Sequence, residues 1–190
     1  MKKILTIGLF LVFSLSFGQI VNNSGLYFAK EFSKEVALYK GKDFVITKVL
    51  GVSEELVKFE IDPLAAASSG ELTSLVYNCE QKNQNGLVLG FYGTRWSEDG
   101  IAYKAYAFKN LEKEKALELF QTIEDHLKEE SKYINSTSVN HNMYFKFDEL
   151  TLLIYKDNGT KIRVFWNGFD SEWENSAYNR TRRRFIRKVD

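Results

Sequence analysis

Residues able to do chemistry gather in three parts of the sequence. Arg180, Arg182, Arg183, Arg184, Arg187 and Lys188 put six cations into nine residues. Guanidinium groups at that density suit an anionic partner, whether lipid headgroups, an acidic glycan or an acidic protein surface. A structural role competes for the same residues, because cations favour the negative end of a helix dipole. Arg95-Trp96 and Phe165-Trp166-Asn167-Gly168-Phe169 set large aromatics where strands run into loops. An indole there can stack on a sugar or anchor a protein partner, or it can close the rim of a core. Trp166 alternates onto the face of Ile162 and Val164, which favours the core role for that residue. The third set is carboxylates near strand ends and turns: Asp62, Glu98, Asp99, Asp148, Glu149 and Asp170. Two such groups, brought together by the fold, could hydrolyse a glycoside. Asp148 and Glu149 point to opposite faces if extended, so they form no dyad by themselves.

Other catalytic chemistry finds little support. The sequence contains neither a nucleophile elbow nor a Ser-x-x-Lys pair. His126 and His141 are the two imidazoles, one beside the apolar stripe of a predicted helix and one in the polar loop Asn140-His141-Asn142, where exposure is expected. There is no Cys-x-x-Cys, no His-x-x-x-His and no His-Glu helix motif for zinc. Asp157-Asn158-Gly159 lacks the remaining ligands of a calcium loop and reads as a turn. Gly86, Gly90 and Gly93 do not have phosphate-loop spacing. No cofactor is expected. Cys79, the single cysteine, follows an apolar run and reads as a buried, inert thiol.

These residues need elements to hold them. Period-two alternation predicts strands over Leu26 to Phe32, Val36 to Tyr39, Phe44 to Leu50, Val57 to Ile61 and Leu72 to Cys79. Leu87 to Trp96 and Ile101 to Phe108 flank the turn Ser97-Glu98-Asp99-Gly100, and Leu150 to Lys156 and Lys161 to Trp166 flank Asn158-Gly159. Both are expected hairpins. A helix is predicted from Leu111 to Ser131, N-capped by Asn110, with Ala116, Leu119, Phe120, Ile123 and Leu127 on one apolar face. A second, basic helix is predicted from Glu172 to Arg187, opened by a Ser171/Glu174 capping box, with Trp173, Ala177, Thr181 and Phe185 on its inner side. The expected fold class is α+β: one twisted antiparallel sheet packed against the long amphipathic helix, with the basic C-terminal helix at its edge.

Met1 to Gly18 reads as a cleaved secretory signal. Lys2 and Lys3 form a positive head, Ile4 to Leu15 an apolar stretch, and Ser16 and Gly18 place small residues three and one before a cut ahead of Gln19. The apolar run is shorter than the roughly 20 residues of a membrane span, so no transmembrane segment is expected after cleavage. Gln19 stands where a lipoprotein would carry its lipidated cysteine. Taking 18 from 190 leaves 172 residues, expected as one globular domain over 19–190. A 15% aromatic share and a single proline argue against disorder. Acidic and basic residues nearly balance, at 25 and 26, so nucleic acid is not an expected partner.

The expectation that follows is a secreted or periplasmic, non-catalytic binding module of the cell envelope or extracellular space. Its binding residues would be Arg95, Trp96, Trp166, Arg180, Arg182, Arg183, Arg184 and Arg187, facing an anionic envelope component or a protein. The alternatives are a carboxylate-based glycoside hydrolase acting on a polysaccharide and a scaffold subunit of an oligomer.

Overall fold

The computed structural model describes residues 27–28, 34–136 and 140–190. The signal segment, its cut site and most of the strand expected at Leu26 to Phe32 lie outside the described residues.

Two antiparallel sheets, where one was expected, carry the architecture. The first has the order β1-β5-β4-β3-β2, built from Tyr27–Phe28 (β1), Glu60–Ala66 (β2), Leu72–Cys79 (β3), Gln84–Trp96 (β4) and Ala102–Glu112 (β5). The second is a meander in sequence order, from Asn142–Phe147 (β6), Leu150–Lys156 (β7), Thr160–Trp166 (β8) and Phe169–Glu174 (β9). The helices are Lys34–Phe44 (α1), Lys113–Glu129 (α2), the short Ser131–Ile134 (α3) and Asn175–Val189 (α4). The α+β class therefore holds, with helices and antiparallel sheets in one chain.

Alternation along the central strands sorts side chains onto two faces of the first sheet. Leu87, Leu89, Phe91, Ala105, Ala107 and Leu111 face a core shared with α2, α4 and the inner face of the second sheet. Phe91 joins the sheets directly, its ring 5.1 Å from that of Trp166 and 6.1 Å from that of Phe169. Leu75, Tyr77, Val88, Tyr106 and Phe108 face the other way, against Phe44, Val45 and Leu50. The first sheet is thus covered on both faces.

Val36 to Tyr39 and Phe44 to Leu50, expected as strands, are instead α1 and a π-helical turn at Val45–Leu50. Ala37, Gly41, Phe44 and Val45 are buried at helical spacing, and that burial overrides the strand preference of Val45, Ile46, Thr47 and Val49. The long helix matches its expected apolar face, with Ala116, Leu119, Phe120 and Ile123 buried. Its cap does not match, because β5 runs on through Asn110 and Glu112 takes the N-cap position without a side-chain bond. The last helix starts at Asn175 and not at Glu172. Phe169, Ser171 and Trp173 form the inward face of β9, so Ser171 caps nothing.

Candidate functional site

The cationic run lies on α4, where Ala177, Tyr178, Thr181 and Phe185 turn into the core. That placement divides the cations by face. Arg182 reaches Glu124 of α2 at 3.5 Å, Arg184 donates to the carbonyl of Leu64 at 2.5 Å, and Lys188 pairs with Asp62 at 2.6 Å. These three fasten the helix to α2 and β2. Arg180, Arg183 and Arg187, at spacings of three and four, share the outward face and are all exposed. Arg180 and Arg183 bond only carbonyls of their own helix, at 3.2 and 3.3 Å. None of the three has a carboxylate in ion-pair reach among the described residues.

The aromatic candidates separate as well. Trp96 is 69% exposed on the β4–β5 hairpin, beside exposed Ile101. Trp166 is 9% exposed and closes the core, its indole N–H donating to Glu149 at 3.2 Å. Arg95 is held locally: it donates to the Asn167 carbonyl and lies 5.2 Å over the Phe169 ring. The turn beneath it needs Gly168, whose φ is +71° and whose missing Cβ leaves space for the guanidinium 2.7 Å away. Arg95 and Trp96 therefore adjoin in sequence but serve a turn and an exposed surface respectively.

Asp148 and Glu149 do converge, against the expectation for an extended pair. Asp148 has φ +52°, so the backbone reverses and both carboxylates meet Lys109 of β5, at 2.7 and 2.9 Å. The lysine hydrogen bonds hold both carboxyls below their ordinary range. Burial opposes the charge on Lys109, but the bonds to the two carboxylates outweigh it and raise its pKa. Neither acid is arranged as a proton donor, which requires a raised pKa.

Two of the clefts among the described residues involve candidate groups. One, of about 450 Å³, opens where β6 runs past the end of α2 and is lined by His126, Tyr133, Met143 and Phe145. The ring of His126 meets that of Phe145 edge-on at 4.7 Å, a partly buried structural placement. His141 is stacked on Tyr133 at 4.2 Å, with Nδ1 2.8 Å from the Tyr133 carbonyl and 2.6 Å from the Ser136 hydroxyl. It is only half-exposed, contrary to the expected open loop. The other cleft, about 570 Å³, lies between the π-helical turn, the start of β4 and the β5–α2 junction, and polar side chains line it. Sequence reading missed this cleft because its residues come from four separate stretches of the chain, none of which carries a motif.

Among the described residues no helix is long and apolar enough to cross a membrane, and no group of His, Cys, Asp and Glu is placed to hold a metal ion. Comparison with known proteins finds no matching family model, no matching curated protein and no matching solved structure.

Proposed function

We propose that the chain is an exported, non-catalytic binding module that holds an anionic component of the cell envelope against Arg180, Arg183 and Arg187. The observation carrying this reading is the division of cations on α4: three anchor the helix, and three stand outward without acidic partners among the described residues. The helix dipole accounts for Arg187 near the C-terminus but not for Arg180 and Arg183, since its effect fades beyond the last turn. Like charges at three- and four-residue spacing also cost the helix a few tenths of a kcal/mol per pair, a cost that an anionic partner offsets. The inner face of α4 is committed to the core, so contact is electrostatic and peripheral, without insertion of the helix into lipid.

The hydrolase alternative is less well supported. Its nearest carboxylate pair shares one lysine with both acids held ionised, and the adjoining Trp166 faces inward.

The test is sedimentation or surface binding of the wild-type chain and an R180Q/R183Q/R187Q variant. The two partners are vesicles containing anionic phospholipid and an immobilised acidic polysaccharide, each run across a salt series. Binding to either partner that weakens with salt and falls at least about tenfold in the variant supports the reading. Equal binding by both proteins, or none by the wild type, refutes it.

A further inference from the structure

We infer that the polar cleft beside Asn110 is a binding site for a neutral, polyhydroxylated ligand the size of one or two sugar rings. This goes beyond the arginine face, from which the cleft is distinct in both residues and chemistry.

Four separate stretches of the chain converge on it. The π-helical turn supplies Lys48, the β3–β4 connection Asn83, β4 Gln84 and Asn85, β5 Asn110 and Glu112, and the first turn of α2 Lys113 and Glu114. Tyr77 of β3 forms part of the wall. The volume of about 570 Å³ falls within the range of small-molecule sites.

The lining specifies the ligand class. Four of its side chains are primary amides, each offering two N–H donors and a carbonyl acceptor, the complement of a hydroxyl that both donates and accepts. Two carboxylates and two ammonium groups cancel in formal charge, so the cleft selects neither an anion nor a cation. Lys113 is also partly engaged, donating to the Val189 carbonyl at 2.5 Å. A phosphate or sulfate ligand would meet Glu112 and Glu114, and an ammonium ligand Lys48; a neutral polyol meets acceptors and donors without that repulsion.

Behind the wall, Asn110 Oδ1 has no hydrogen-bond partner among the described residues, an orphan acceptor that costs the fold. The first-turn amides of α2 receive no side-chain cap, because Glu112 makes no capping bond, and so add donors at the same wall. The wall is also shaped by a glycine. A Cβ at Gly86 would stand 2.9 Å from the Tyr77 ring and hydroxyl and closer still to the Leu111 carbonyl. Burial, the larger effect, raises the Tyr77 phenol pKa, while the Asn110 amide N–H donated to the phenol oxygen lowers it.

The test is amide-resolved NMR titration of the protein with cellobiose, maltose and chitobiose, and with citrate as an anionic control. The expected result is saturable shifts, for at least one disaccharide, at the amides of Asn83, Asn85, Asn110 and Lys113, unchanged from about 0.05 to about 0.5 M salt. N85A and E114A, both at the surface of the cleft, should each weaken binding about tenfold, while R180Q/R183Q/R187Q should leave it unchanged. Absence of saturable shifts with all three sugars, shifts mapping elsewhere, or an equal response to citrate would overturn the assignment. Because the arginine variant is scored separately, failure of the cleft is distinguishable from failure of the anionic-partner reading.

Discussion

The hydroxyl of Ser74 on β3 lies 2.6 Å from that of Thr181 on α4, and both side chains are buried. Thr181 donates to the Ala177 carbonyl at 2.9 Å, which leaves Ser74 as donor to Thr181. Ser74 in turn accepts from the Ala65 N–H at 3.2 Å, where β2 is bulged between Pro63 and Ala65. One hydroxyl therefore repairs a break in a strand ladder and docks a helix on it. Ser74→Ala strands both the Ala65 N–H and a lone pair of Thr181, and should cost about 1–3 kcal/mol. Thr181→Val lets Ser74 turn to the Ala65 carbonyl, also 3.2 Å away, and should cost about 1 kcal/mol or less. Urea unfolding at unchanged m-value measures both, and the reverse order would refute the bridging role.

The Lys109 pair makes stability depend on acid in a defined direction. Asp148 and Glu149 have lowered pKa values in the fold, so their contribution is complete above the ordinary carboxylate range and is lost as pH falls through the lowered values. Lys109 is raised, so its share persists below the ordinary lysine value and is lost only as pH rises through the raised one. The stability difference between wild type and Lys109→Met should be flat near neutrality and shrink below about pH 4. Since both carboxylates are substantially exposed, solvent screening limits it to about 1 kcal/mol. Chemical denaturation of both proteins across acidic pH is the measurement; a difference that grows on acidification contradicts the assignment.

Tyr178 joins the two long helices. Its hydroxyl donates to Glu124 at 2.8 Å, and burial, then the bond and charge of Glu124, push its phenol above the ordinary range. In an ultraviolet pH titration Tyr178 should therefore ionise only with alkaline unfolding, and Tyr178→Phe should reduce the late phase by one tyrosine equivalent. The substitution leaves Glu124 its ion pair with Arg182, so the expected cost is about 1 kcal/mol.

Cys79 is fully buried, with its thiol 3.4 Å from the Lys58 carbonyl. An aromatic disulfide reagent should label no thiol in the native protein and one per chain in denaturant, at a rate set by opening. Immediate native labelling would contradict the packing around β3.

The legible parts of the fold were those whose local pattern and tertiary role agree. Leu72–Cys79 and the hairpin around Asn158-Gly159 form as their alternation and turn residues dictate, and the apolar stripe of α2 is buried as its spacing requires. The second sheet extends beyond the Asn158-Gly159 hairpin because Asn167-Gly168 is the same kind of signal; with φ of +47° and +71° it turns β8 into β9. Ser171 and Glu174 have capping-box spacing, yet Phe169, Ser171 and Trp173 alternate in the same stretch, and burial of Trp173 decides for the strand. For the site, the sequence located the cations but not their faces. Thr181 and Phe185 must turn inward before Arg180, Arg183 and Arg187 can turn out, and that depends on what α4 packs against. The polar cleft has no linear signature at all.

Placement of α4 has a consequence for synthesis. Its inward side chains join a core whose other walls are β2 to β5, α2 and the second sheet, so a nascent chain that has not yet emerged past residue 175 lacks one wall. Until then the aromatic interior, including Phe120 and Trp173, has no partner for one flank. Native closure of this core therefore waits for translation of Asn175–Val189, and until then one flank of it stays uncovered.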